Sequence, residues 1–114
     1  MEPLTPAVFH ILLALAGGER HGYGIMQEVA EATAGTFVMG PGTLYGTLKR
    51  MLEAGLVEES GERPDPRINE ERRRYYRITA SGRRAATDEA RRLESLVRLA
   101  AAKSLLRRPR RKES

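Results

Sequence analysis

The segment Pro41-Gly42-Thr43-Leu44-Tyr45-Gly46-Thr47-Leu48-Lys49-Arg50-Met51-Leu52-Glu53-Ala54-Gly55-Leu56-Val57 constrains this chain more than any other stretch. Proline in a first helical turn gives up an amide that has no intrahelical acceptor, so Gly40-Pro41 starts a helix. Leu44, Leu48, Met51 and Leu52 recur at helical spacing and form a buried stripe. Thr43, Gly46, Thr47 and Arg50 lie away from it, with Tyr45 and Lys49 on the flanks. Gly55 suits a left-handed stop, and Leu56-Val57 begins a strand. Its partner is the basic strand over residues 73–79, within Arg72-Arg73-Arg74-Tyr75-Tyr76-Arg77-Ile78-Thr79. Between them Ser60-Gly61-Glu62-Arg63-Pro64-Asp65-Pro66-Arg67, with two prolines, one glycine and mixed charge, predicts a long mobile hairpin tip. Helix, strand, charged loop and basic strand, in that order, are what a DNA-recognition helix followed by a β-wing requires.

Two helices precede this segment. Thr5-Pro6 caps and starts the first, over residues 5–17, with Val8, Ile11, Leu12 and Leu15 on its apolar face and Gly17-Gly18 as its stop. His21-Gly22-Tyr23-Gly24 opens the second, which buries Ile25, Met26, Val29 and Ala30 and ends at Thr33-Ala34-Gly35. The last helix is capped by Thr79 or Ser81. In it Ala86, Ala90, Leu93, Val97, Ala100 and Ser104 alternate spacings of four and three, an a/d seam. Leu96, Leu99, Leu105 and Leu106 widen it beyond what a small core can cover. This predicts a dimerisation helix, against the alternative that it folds back onto its own domain. The expected fold class is mainly α with a two-stranded β-wing. It comprises a winged helix-turn-helix domain over residues 1–79, a C-terminal dimerisation helix over 80–106, and a disordered basic tail over 107–114.

Charge sharpens the functional expectation. The net charge of the 114 residues is +5, yet residues 1–55 hold three basic and five acidic residues, and residues 56–114 hold 17 and 10. The first part is therefore −2 and the second +7, which suits a polyanionic partner. There are no cysteines, which excludes disulfides and thiolate metal sites. The apolar run over residues 7–16 follows Met1-Glu2-Pro3, without the positive start of a signal peptide, and is too short to span a bilayer. A soluble cytoplasmic protein is expected. No zinc spacing, P-loop or dinucleotide fingerprint is present, and Arg84/Asp88 and Glu94/Arg98 are ordinary i, i+4 surface pairs. With no nucleophile and base to pair, the expectation is no enzyme, no cofactor and no metal.

Three stretches together resemble the PadR family of bacterial transcriptional regulators, in particular its short members with a single C-terminal helix. They are His21-Gly22-Tyr23-Gly24-Ile25, then Pro41-Gly42-Thr43-Leu44-Tyr45 with Leu48, Arg50 and Gly55-Leu56-Val57, and then Arg74-Tyr75-Tyr76-Arg77-Ile78-Thr79-Ala80-Ser81-Gly82. The likeness spans residues 5–106. It implies a winged helix-turn-helix homodimer that represses by binding a pseudo-palindromic operator in double-stranded DNA. Several family members are released by small molecules held near the dimer interface, which extends the reading to a small-molecule inducer. Two departures stand out: Gly46, where a larger residue is usual, and the absence of Trp, which some relatives' ligand sites would favour as an aromatic wall.

In such a motif the second helix enters the major groove with its N-terminal residues at the base edges. The DNA-binding candidates are therefore Thr43, Tyr45 and Thr47 for bases, and Lys49 and Arg50 for phosphate, with Arg50 also able to reach a guanine. Thr43 could instead cap its helix, and Tyr45 could pack against the first helix and offer only its hydroxyl. Arg63 and Arg67 at the wing tip would enter the minor groove. Strand alternation places Arg73, Tyr75 and Arg77 on one face and Arg72, Arg74, Tyr76 and Ile78 on the other. Tyr76 then packs inward, Arg73 is the phosphate contact, and Arg74 is drawn toward a carboxylate. The dimerisation candidates are Ala86, Ala90, Leu93, Leu96, Val97 and Ala100. His21 takes a capping role and His10 a packing one. The competing reading is a winged-helix protein–protein module whose long helix recruits a partner.

Overall fold

A computed structural model describes residues 3–64 and 72–107. The elements run α1 (Pro6–Ala16), β1 (Arg20–His21), α2 (Gly22–Ala32), α3 (Pro41–Glu53), β2 (Val57–Pro64), β3 (Arg72–Ile78) and α4 (Ala80–Ala102). The sheet is antiparallel with order β1-β3-β2. It thus has three strands where two were expected: Arg20 pairs with Tyr76 and His21 with Tyr75. The sheet and four helices make a winged helix with a long terminal helix.

Local chemistry sets each boundary. Thr5 Oγ1 accepts from the Val8 amide at 3.3 Å, with Pro6 at the first helical position. His21 caps α2 with Nδ1, which accepts from the Gly24 amide at 3.0 Å. No side chain caps α3, where Gly40 holds the cap position, so Thr43 is not the cap. At its end Gly55 adopts φ +75°, and the Gly55 and Leu56 amides donate to the Leu52 and Met51 carbonyls at 3.1 and 2.9 Å. This pair of bonds closes the last turn as a Schellman motif.

The core gathers Ile11, Leu12 and Leu15 of α1, Ile25 and Val29 of α2, Leu44, Leu48 and Met51 of α3, Val57 of β2 and Tyr76 of β3. Thr79 joins α3's end to α4's start. Its hydroxyl donates to the Gly55 carbonyl at 2.6 Å and accepts from the Gly82 amide at 2.9 Å, while its amide donates to the Leu56 carbonyl at 3.1 Å. Gly82 lies so close to Leu56 that a Cβ there would overlap the Leu56 carbonyl oxygen.

α4 runs back along α1. Arg83 donates to the Ala16 carbonyl at 3.3 Å at one end of α1, and Glu89 accepts from the Leu4 amide at 3.4 Å at the other. Ala85 and Ala86 pack on the domain's own core, so the expected seam is divided and Ala86 belongs to the intramolecular part. Beyond Glu89 the helix passes the start of α1, and Leu96, Val97 and Leu99 stand about half exposed. Helix α4 ends at Ala102, four residues before the expected boundary. Ser104 takes φ +65°, and the Ser104 and Leu105 amides donate to the Ala101 and Ala100 carbonyls at 3.1 and 2.9 Å. Ser104, Leu105 and Leu106 therefore lie outside the helix. The expected tail lies outside the described residues from residue 108 onward.

Glu89 is buried at 6% exposure and receives a two-pronged bond from Arg92, Nε to Oε1 at 3.0 Å and Nη2 to Oε2 at 2.6 Å. Those Arg92 bonds, with help from the Leu4 amide, hold the Glu89 carboxyl below its ordinary range against the opposing effect of burial. A lowered native value means the stabilisation is complete above the unfolded carboxylate range and is lost as pH falls through the native value. The urea midpoint of the native protein should therefore exceed that of Glu89→Gln at neutral pH, and the gap should close on acidification below about pH 4. A gap independent of pH would show that the carboxylate charge does not hold α4 to α1.

Candidate nucleic-acid interface

Helix α3 buries one stripe and presents the other. Leu44, Thr47, Leu48 and Met51 face the core, and Thr43, Tyr45, Lys49 and Arg50 are exposed. Thr47 is only 1% exposed, which corrects its expected place at the base edges. It lies three residues after Leu44 and four before Met51, on the buried stripe, and a hydroxyl does not alter that placement. Tyr45 projects at 47% exposure with its ring over Gly22, where any Cβ would overlap the phenol. It therefore rests on the start of α2. Lys49 and Arg50 have no carboxylate partner among the described residues; Arg50 Nη2 lies 3.4 Å from Thr47 Oγ1.

The wing differs from expectation in its reach. β2 continues through Ser60 to Pro64, residues expected to form the loop. Two features permit this. A bulge between Glu59 and Gly61 leaves Ser60 as the extra residue, with Gly61 at φ +129°. β2 is also an edge strand, where proline is tolerated.

Arg63 consequently sits within the strand, directly opposite Arg73, and not at a tip. Its Nη2 is 2.7 Å from Glu19 Oε1, and its guanidinium lies 4.0 Å from the centre of the Tyr75 ring. His21 meets the other side of the cluster edge-on to Tyr75 at 5.3 Å. The neighbouring Ser60 hydroxyl and the Arg63 guanidinium hold the Glu19 carboxyl below its ordinary range. Arg63 is thus a strut that ties β2 across β3 to the residues around β1. Arg67 lies outside the described residues.

On β3, Tyr76 is buried as alternation required, and burial pushes its hydroxyl pKa up. Arg74 reaches Glu59 at 3.5 Å, as expected, and Arg77 reaches Glu58 at 2.7 Å. Arg73 is half-buried. Among the described residues Arg63, Arg74 and Arg77 of the wing are thus each held by a carboxylate, whereas Lys49 and Arg50 on the exposed face of α3 have none. Sequence reasoning missed Glu19 and β1. A two-residue strand carries no alternation to detect, and the Glu19–Arg63 contact joins residues 44 positions apart.

Among the described residues no group of three His, Asp or Glu side chains could hold a metal ion, and no helix is long and apolar enough to cross a membrane. A cleft between α1 and α2, lined by His10, Leu13, Ala14, Glu28, Val29 and Ala32, encloses about 60 Å³.

The family model for PadR-like transcriptional regulators matches residues 11–88. The transcriptional regulator Rv3488 of Mycobacterium tuberculosis is 39% identical over 89 residues, covering 78% of this chain and 77% of that protein. A PadR family regulator from Clostridium difficile superposes with a TM-score of 0.71 at 22% identity, over 86% of this chain and 97% of that one. Bacillus subtilis PadR, solved in complex with operator DNA, superposes at 0.65 with 19% identity, over 100% of this chain and 54% of that one. The solved structures share the fold; the family model and the Mycobacterium relative place the sequence. The chain belongs to the PadR-like family of transcriptional regulators, which are DNA-binding proteins and not enzymes.

Proposed function

We propose that the chain is a homodimeric, cytoplasmic repressor that binds a pseudo-palindromic operator through α3 and pairs through the free end of α4. The observation that carries the DNA contact is the exposed face of α3. Among the described residues Lys49 and Arg50 have no carboxylate partner there, while Arg63, Arg74 and Arg77 are each held by one. The uncapped N-terminus of α3 adds first-turn amides, which suit a phosphate. Thr43 and Tyr45 supply the neighbouring polar contacts, and Arg73 a backbone contact from the wing. That Bacillus subtilis PadR, of the same fold, was solved in complex with operator DNA supports DNA as the partner.

For pairing, Ala90, Leu93, Leu96, Val97 and Ala100 form the surface, Ala86 being engaged within its own domain. The reading extends to a small-molecule inducer held near the dimer interface; the α1–α2 cleft, at about 60 Å³, is far below the several hundred Å³ of a typical ligand site and is not its place.

The test is titration of the protein against the DNA upstream of its own gene, with a scrambled duplex as control, at two salt concentrations. Binding should be tighter to the native duplex and should weaken steeply with salt. Lys49→Ala should weaken binding to both duplexes alike and reduce the salt slope by about 1. Salt-insensitive binding, or an unchanged slope in Lys49→Ala, would remove α3 as the phosphate-contacting face. It would favour a module whose long helix recruits a protein partner.

A further inference from the structure

The Arg50 side chain does not extend straight outward from α3. Its Nη2 lies 3.4 Å from Thr47 Oγ1, one turn earlier, and its Nη1 lies 3.9 Å from where a Cβ on Gly46 would stand. Helical side chains lean toward the N-terminus of their helix, and this one does so across a position that has no side chain. Thr47 itself is buried and so anchored by the core. Its hydroxyl is a fixed acceptor at the edge of the exposed face.

We infer that Gly46 and Thr47 are positioning residues that bring the Arg50 guanidinium back over the base-reading part of α3, where it recognises a guanine in each half-site. The inference rests on the DNA-binding reading above and deepens it. Gly46 keeps open the lane along which the guanidinium lies. An alanine there makes only ordinary contact with Nη1, whereas a longer side chain would occupy the lane. The Thr47 hydroxyl engages one nitrogen of this exposed side chain and leaves the remaining donors of the planar fork for a base. Such a fork matches the O6 and N7 acceptors of guanine in the major groove. Guanine is the base that offers two acceptors side by side there. Gly46, costly to the helix as a weak helix former, thereby acquires a recognition purpose.

The experiment is selection from a pool of fully randomised DNA duplexes, with the bound fraction sequenced, for the native protein and a set of variants. The native protein should enrich a guanine at one position per half-site, and Arg50→Ala should lose that preference. Gly46→Gln and Thr47→Val should each reduce it by about tenfold, while keeping the salt dependence on random DNA. Gly46→Ala and Thr47→Ser, which leave the lane and the hydroxyl in place, should keep it. Gly46 is at the surface of the helix, so its two variants decide the matter even where Thr47→Val proves unstable. A guanine preference that survives in Arg50→Ala overturns the inference and leaves the regulator reading standing. A preference lost in Arg50→Ala but untouched in Gly46→Gln overturns the positioning role. A native protein that enriches no sequence overturns both readings.

Discussion

Gly82→Ala is expected to destabilise the fold by about 2–3 kcal/mol, the cost of forcing an extra carbon into a closed contact. For a domain of this size that is a fall in melting temperature of about 10–20 °C. The new Cβ would overlap the Leu56 carbonyl oxygen and stand 2.9 Å from Ile78 Cγ1. A side-chain tip could turn aside, but this carbonyl cannot. It accepts the Thr79 amide at 3.1 Å, and the Gly82 amide is bound in turn to the Thr79 hydroxyl. Relief would require opening the junction that places α4. Gly46→Ala is the control: it meets only ordinary contact and should raise stability by about 1 kcal/mol through helix propensity. Thermal denaturation of the two variants side by side checks the claim. Equal melting temperatures for Gly82→Ala and the native protein would mean that α4 does not pack on the α3–β2 turn in the manner described.

The second large effect concerns association. Val97→Glu is expected to convert the proposed dimer to a monomer and to lower operator affinity by about a hundredfold or more, because two linked half-site contacts become one. Val97 is 54% exposed in the protomer and lies beyond the part of α4 that rests on α1, so the charge should leave the protomer's own fold intact. Sedimentation equilibrium and operator titration on the same sample check both halves of the prediction. A monomeric variant that binds the operator with native affinity would refute pairing through α4.

Several of these features were legible in the sequence because they are local. Thr5-Pro6 and Gly55 mark helix ends through backbone rules that hold wherever those residues occur. The capping role of His21 followed from its place before Gly22-Tyr23-Gly24. The inward turn of Tyr76 and the pull of a carboxylate on Arg74 followed from strand alternation.

What escaped was non-local or ran against residue type. β1 exists only because Tyr75 and Tyr76 lie beside it. The extension of β2 through Ser60-Gly61 depends on a bulge that no propensity announces. The hydroxyl of Thr47 suggests an outward place, although its spacing from Leu44 and Met51 puts it on the buried stripe. Ser104 occupied a perfect heptad position, yet the backbone turns left-handed there and the helix has already stopped. Ala86 shared the seam's period but serves the intramolecular core, since periodicity identifies a face and not its occupant.

The junction at Thr79 has a mechanical consequence. Its bonds to Gly55, Leu56 and Gly82 clamp the end of α3 to the root of α4 without a loose residue between them. α4, with 23 residues, is a rigid arm about 34 Å long. Turning such an arm by about 10° displaces one end relative to the other by about 6 Å, a sizeable part of the roughly 34 Å between half-sites on one DNA turn. In a dimer joined at the arms' free ends, the crossing angle there sets the gauge between the two recognition helices. An effect as small as repacking a few leucines can then decide whether the pair matches the pitch of DNA.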